Sequence, residues 1–145
     1  MVRLEFPARP EYLALARMVA AAVAAVDPLL DEERINDLRV VISEACTNAI
    51  EAHPRGENPG TVSLECRLTA ARLEIEVSDE GSGFSVEDLA GPPAASDPAR
   101  LHHERGLGIP LIRALTDEVE FLSGGGGTTV RIALYVPVPA APTGP

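Results

Sequence analysis

The chain has 145 residues, of which 46% are apolar, and this suits one domain with a core of ordinary size. Its net charge of −10 argues against a nucleic-acid backbone or an anionic membrane surface as its main partner. No apolar run is long enough to span a bilayer, and the first ten residues hold no signal peptide. We therefore expect a cytoplasmic protein with two reduced core cysteines, Cys46 and Cys66.

The basic residues exclude two nucleotide-binding schemes. All 12 are arginine, and the chain has no lysine. A Walker A loop needs its phosphate-binding lysine, and the eukaryotic-type protein kinase fold needs its strand lysine. If this protein handles a nucleotide, it uses another scheme.

The N-terminal half predicts one short strand and two helices. Residues 2–6 alternate between apolar and charged side chains, which is typical of a strand. Pro10 suits the first turn of a helix that runs to about Val26, where an Asp-Pro pair stops it. Residues 31–52 open with acids and predict a long second helix.

The C-terminal half predicts strands around one further helix. Two alternating segments, 62–68 and 73–77, indicate a hairpin. A third helix begins near residue 105, and strands follow on both sides of a four-glycine turn. Strands and helices mix without a regular βαβ rhythm, so we predict an α+β fold: one mostly antiparallel sheet covered on one face by helices. Residues 137–145, rich in Pro and Ala, should form a mobile tail after a single domain of residues 1–136.

Three polar residues of the second helix share a narrow stripe beside its apolar stripe. At about 100° per residue, Glu44, Asn48 and Glu51 point the same way from the edge of the predicted core. A solvated helix face with an i,i+4 hydrogen bond would explain the pair Glu44 and Asn48 equally simply.

The end of the 73–77 strand carries the next candidate. The period of two turns Asp79 toward the same face as the apolar residues of its strand, where a carboxylate needs a hydrogen-bond donor. Gly81 and Gly83 follow and let the backbone approach a ligand closely. Such an acceptor can receive the exocyclic amine of adenine; a glycine-rich turn capped by Asp79 is the alternative.

Two later segments add weaker signals. Gly106 and Gly108 open a helix whose N-terminal amides can bind phosphate, and Arg105 can pair with phosphate oxygens. A helix start after a flexible loop would explain this pattern as well. Thr128 is turned inward by strand parity and can join Asp79 around one ligand, although threonine is also common in strands.

The order of these motifs resembles the nucleotide fold shared by gyrase, Hsp90, MutL and histidine kinases, the Bergerat-type fold. The segments "LEF", "DPLLDE", "SEACTNA", "DEGSG", "GLG" and "GTTVRIAL", together with Arg17, are similar to the bacterial anti-sigma-factor serine/threonine kinases of the general-stress and sporulation pathways. The resemblance covers roughly residues 2–136. It implies a two-layer α/β sandwich, a homodimer, binding of ATP with Mg²⁺, and partner switching between a sigma factor and an anti-anti-sigma protein that is phosphorylated.

The resemblance also implies a role for each candidate residue. Asn48 would bind Mg²⁺ and Glu44 would orient or deprotonate the attacking hydroxyl. Asp79 would recognise adenine with the help of Thr128, and residues 85–105 would form a lid. The remaining nucleotide-binding positions would be Gly81, Gly83, Arg105, Gly106, Leu107 and Gly108.

The first helix predicts contacts with other proteins. Its segment 12–26 is apolar on nearly all sides, more than one sheet face requires, which favours cover by another chain. Arg17 is the one charge within it and would bind a partner's acidic residue; an arginine that lies along the surface is the alternative.

Two departures from the family keep other functions open. Glu51 stands near the place where the family usually has a histidine, His53 is displaced, and the segment before Gly106 offers Arg105 as its adjacent basic residue. The leading interpretation is an anti-sigma factor with serine/threonine kinase activity. The alternatives are a nucleotide-gated binding protein without phosphate transfer, and a detached sensor-histidine-kinase-like ATPase domain.

Overall fold

The computed structural model describes residues 1–53, 59–80, 108–124 and 126–138. Five strands form one sheet in the order β1-β2-β3-β5-β4. The four pairings between these strands are antiparallel, so the prediction of an α+β fold with a mostly antiparallel sheet is confirmed. The strands are β1 Val2–Pro7, β2 Thr61–Leu68, β3 Arg72–Asp79, β4 Glu118–Gly124 and β5 Gly127–Tyr135.

The described helices are α1 Leu13–Ala24, α2 Glu32–Glu51 and α3 Gly108–Leu115, and a single 3-10 turn, Pro10–Tyr12, precedes α1. α1 ends two residues before the predicted Val26, and the amide of Val26 closes the final turn on the carbonyl of Val23 at 3.2 Å. Asp31 caps α2 by accepting a hydrogen bond from the backbone N–H of Arg34 at 2.9 Å.

The two faces of the sheet differ as the alternation predicts. Every second residue of β3 is buried in the core that the sheet forms with the helices. The opposite face carries charged side chains in ion pairs, among them Arg131 with Glu76 and Arg72 with Glu118. The molecule is therefore a two-layer sandwich of helices on one sheet face.

Two contacts fix α3 against α2. Asp117, just after α3, pairs with Arg34 in the first turn of α2 and also accepts a hydrogen bond from the backbone N–H of Tyr135 at 2.7 Å. The other end of α3 begins at Gly108, which lies against the side chain of Glu44 further along α2. α3 therefore runs antiparallel to α2, and its first residue lies at the candidate site.

Two predicted segments fall outside the described residues: the lid at 85–105 and the tail from residue 139 onward. Within the ranges that the structure describes, no helix combines the length and apolar character needed to cross a membrane.

Candidate functional site

The polar stripe of α2 lies beside the core, facing α3. Glu44, Asn48 and Glu51 are all half-buried, whereas the neighbouring Ala45 and Ala49 are buried against the sheet. The stripe thus lies on a helix whose neighbouring face is packed in the core.

The amide of Asn48 is available to a ligand. Its Nδ2 atom is buried and has no hydrogen-bond partner among the described residues. A half-turn of the side chain exchanges the donor for the carbonyl oxygen, so either group can face that position. A buried donor without a partner is costly, and an acceptor atom of a ligand would satisfy it. With the side chain turned the other way, the amide oxygen faces that position, and oxygen is the ligand that Mg²⁺ prefers.

Asp79 and Thr128 form the second part of the site, at the end of the sheet. They are direct partners across the β3–β5 ladder, and both point into the core side, with exposures of 8% and 3%. The Thr128 hydroxyl has no hydrogen-bond partner among the described residues. The Asp79 carboxylate and the Thr128 hydroxyl therefore lie side by side on the core face of the sheet, where both can contact the same ligand.

The end of β3 and the start of β5, which carry Asp79 and Thr128, form a corner of the site, and Gly127 is tightly packed in it. Its φ of +129° lies in a region that favours glycine. A Cβ there would lie 1.9 Å from the backbone oxygen of Asp79. The glycine turn was predictable from the sequence, but this contact was not, because the contact depends on the register of β5 on β3.

Glu44 occupies a partly desolvated position. Burial, and then the negative charge of Glu51, raise its pKa above the ordinary value of 4.5. A Cβ added to Gly108 would lie 2.3 Å from the Oε2 atom of Glu44. Gly108 was predicted to bind the nucleotide, and its position against the carboxylate was not predicted from the sequence.

His53, which follows α2, is buried for a structural reason. Its Nδ1–H donates to the carbonyl of Ala49 at 2.8 Å, and its ring packs on Gly60, whose φ is +84°. The Nε2 atom has no partner among the described residues. Sequence reasoning treated this histidine only as displaced; its spacing from Ala49 at i+4 was the available signal for the helix-end contact.

Arg17 lies between α1 and α2. It is half-buried, and its Nη1 donates to the hydroxyl of Ser43 at 3.2 Å. Ser43 in turn donates to the carbonyl of Arg39 at 2.9 Å. The alternative of an arginine merely lying along the surface does not describe this contact, because the guanidinium joins two helices next to Glu44.

Several predicted site residues fall outside the described part of the chain. They are Gly81, Gly83, Arg105, Gly106 and Leu107. The structure therefore brings together Asp79 with Thr128 and Glu44 with Gly108, and it carries Asn48 one turn after Glu44 on α2.

The donor set fits a nucleotide with a metal ion. Asn48 and Thr128 each present a buried polar atom that the described residues leave without a partner. Asp79 adds a buried carboxylate, which suits an amine of a heterocyclic base. Within the described ranges, no group of three or more His, Cys, Asp or Glu residues is arranged to hold a metal by itself.

A family model matches most of the chain. The model described as "Histidine kinase-like ATPase domain" matches residues 6–134. Among curated proteins, a "Serine-protein kinase RsbW" from Bacillus velezensis is 35% identical over 139 residues, which cover 93% of this chain and 85% of that protein. A protein of the same name from Bacillus pumilus is 36% identical over 142 residues, which cover 94% of this chain and 86% of the relative.

Solved structures share the fold. A Mycobacterium tuberculosis structure of RsbU and RsbW domains superposes with a TM-score of 0.65 at 21% identity, covering 97% of this chain and 34% of that one. The histidine kinase domain of a blue-light activated kinase from Erythrobacter litoralis gives a TM-score of 0.58 at 19% identity, covering 90% of this chain and 62% of that one. These two likenesses concern the fold alone.

Proposed function

This chain belongs to the RsbW family of serine-protein kinases, within the histidine kinase-like ATPase domains, and from that premise we propose that it is an anti-sigma factor that phosphorylates an anti-anti-sigma protein from ATP. The observation that carries the proposal is the family match over 93% of the chain. The polar site on α2 and at the end of β3 supports it, since its carboxylates, amide and hydroxyl are the kinds of group that would serve as base, cation ligand and adenine contact.

In this proposal, adenine binds at the β3–β5 corner. The Asp79 carboxylate accepts a hydrogen bond from the exocyclic amine, and the Thr128 hydroxyl completes the contact. Both side chains are buried, so their hydrogen bonds are shielded from water and discriminate strongly between bases. Guanine presents a carbonyl where adenine has an amine, and that carbonyl would face a carboxylate.

Asn48 holds Mg²⁺ through its amide oxygen. When bound, the cation neutralises phosphate charge and so favours transfer of the terminal phosphoryl group. Asn48 lies on the same helix as the proposed base, one turn away, so the two groups keep a fixed separation.

Glu44 orients the acceptor hydroxyl and takes its proton. Its carboxylate is half-buried on α2, and burial raises its pKa, which makes it a better proton acceptor than an ordinary glutamate. Glu51 is the rival on geometry, because it lies on the same stripe one turn beyond Asn48. Replacement of Glu44 with Gln should leave nucleotide binding near the wild-type level and lower phosphate transfer by about 10²- to 10⁴-fold.

α1 supplies the surface for a second copy of the chain and for the sigma factor. Its outward residues Leu15 and Met18 are 42% and 69% exposed, and exposed apolar residues of this kind favour association. Arg17, on the same helix, adds a positive charge for an acidic group of the partner. The setting we propose is the cytoplasm, where a sigma factor acts.

Incubation with γ-labelled ATP and Mg²⁺, after a pull-down that compares ATP with ADP, tests the proposal. We expect the pull-down to retain a sigma factor and an acceptor protein, and the acceptor to carry acid-stable phosphoserine or phosphothreonine. Acid-labile phosphohistidine would instead support a sensor-kinase activity. If partners are retained in a nucleotide-dependent way but no protein is labelled, the chain is a nucleotide-gated binding protein without phosphate transfer.

A further inference from the structure

We propose that Gly108 is a positioning residue for the base: because it has no side chain, it leaves the space that the Glu44 carboxylate occupies. The proposal deepens the proposed function and depends on Glu44 being the base. It differs from the usual role of a glycine at a helix start, which is to leave the backbone free or close to a phosphate. Here the space is used by a side chain of the protein itself.

The contact between the two residues is close. A Cβ built on Gly108 would lie 2.3 Å from Oε2 of Glu44 and 3.1 Å from both its Cβ and its Cδ. Carbon atoms in ordinary contact are separated by about 3.5–4.0 Å. An alanine at this position would therefore displace the carboxylate oxygen by about 1 Å.

The backbone does not require glycine at this position. Among the described residues, positive φ values occur only at Gly60 and Gly127, and Gly108 belongs to α3. Alanine is the better helix former. Any harm from Gly108→Ala must then come from the contact with Glu44 or from a ligand.

α3 cannot easily move to make room for the added methyl group. Its residue Ile112 is fully buried in the core, with 0% exposure. Its far end is fixed by Asp117, which pairs with Arg34 of α2 and with the backbone of Tyr135. The displacement therefore falls on the Glu44 side chain, which is the movable member of the pair.

Displacement of the base should affect the chemical step rather than nucleotide binding. A misplacement of about 1 Å in a reacting group can cost about 10²-fold in rate. We expect Gly108→Ala to lower kcat for transfer to the acceptor protein by about 10- to 100-fold. The KM for ATP and the affinity for MgADP should stay within about threefold of wild type, since neither depends on the base.

A double-mutant cycle on the purified chain provides a measurement that does not depend on activity. Urea unfolding and MgADP calorimetry would compare wild type, Gly108→Ala, Glu44→Ala and the double variant. Gly108→Ala brings the same gain in helix propensity in both backgrounds, but only in the wild-type background must the Glu44 carboxylate move. In the Glu44→Ala background only the contact with Cβ at 3.1 Å remains, so the change in urea midpoint caused by Gly108→Ala should be more favourable there than in the wild-type background. Gly126→Ala, where an added Cβ meets nothing within 4 Å, is the matched control.

Each outcome decides the proposal. If the effects of Gly108→Ala and Glu44→Ala on the urea midpoint are additive, the two residues do not interact and the proposal is wrong. A rise of tenfold or more in the dissociation constant for MgADP in both backgrounds would also overturn it and assign Gly108 to the nucleotide. If Glu44→Gln transfers phosphate at the wild-type rate, the proposed base is wrong and Gly108 has no catalytic consequence, even where the cycle shows coupling.

Discussion

The substitution Gly127→Ala tests the corner that holds Asp79. Gly127 opens β5 with a φ of +129°, and an added Cβ would lie 1.9 Å from the backbone oxygen and 2.8 Å from the carbonyl carbon of Asp79. The clashing atoms are backbone atoms of a paired strand, so they cannot rotate away as a side chain can. The added methyl group must either distort β5 or push the end of β3.

The magnitude follows from two costs. Holding a residue other than glycine in this region of φ costs about 1–3 kcal/mol. Separating the strand ends loses about one backbone hydrogen bond, worth about 0.5–1.5 kcal/mol. Together they predict a loss of about 2–4 kcal/mol in the free energy of unfolding, or a Tm lower by about 5–15 °C for a chain of this size.

Urea unfolding followed by circular dichroism measures this loss, with Gly124→Ala and Gly126→Ala as controls. An added Cβ meets nothing within 4 Å at either control position, so both variants should stay within about 0.5 kcal/mol of wild type. The affinity of Gly127→Ala for MgADP should fall as well, because the shifted backbone carries the Asp79 carboxylate. Wild-type stability and affinity in Gly127→Ala would refute the contact.

The remaining predictions concern the site and the core. Asn48→Ala should weaken ATP binding measured by calorimetry when Mg²⁺ is present, and equal weakening in EDTA would rule out the metal-ligand role. Asp79→Asn should weaken binding of adenine nucleotides by about 10- to 100-fold and relax discrimination against GTP; an unchanged base preference would remove this assignment. Because a base must be ionised, the transfer rate should fall as the pH drops through the pKa of Glu44, which burial and then Glu51 raise. Glu51→Gln removes one cause of that raised pKa, so the acid limb of the rate profile should move to lower pH, and a limb that moves upward would contradict the coupling. Burial raises the pKa of the two core thiols to about 12 and about 11, so a thiol reagent at pH 8 should label the native chain only as it unfolds; fast labelling would show that the core is open.

Strand parity made the inward side chains predictable. A strand alternates with a period of two, so the apolar residues of β3 and β5 determine the direction of Asp79 and Thr128 without any knowledge of the neighbouring strands. Helix periodicity likewise separated Glu44 and Asn48 from the core stripe of α2. These predictions needed only local rules.

Contacts between distant segments were not predictable in this way. The sequence has a run of four glycines, from Gly124 to Gly127, and only the register of β5 on β3 shows that Gly127 meets the backbone of Asp79. The contact of Gly108 with Glu44 similarly depends on the antiparallel packing of α3 on α2. A periodic pattern predicts that a face is covered, but it does not identify the residue that covers it.

Polar residues of the site lie on a helix that packs against three neighbours. α2 packs on the sheet through its apolar stripe, on α1 through Ser43 and Arg17, and on α3 through Glu44. Ser43 and Glu44 are adjacent in sequence, so the contact with α1 and the proposed base share one turn of one helix. Because close-packed interiors transmit strain, we expect a change in α1 at Arg17 to affect the position of Glu44. We therefore expect that binding of a partner to α1 alters phosphate transfer at the proposed base, Glu44, through α2.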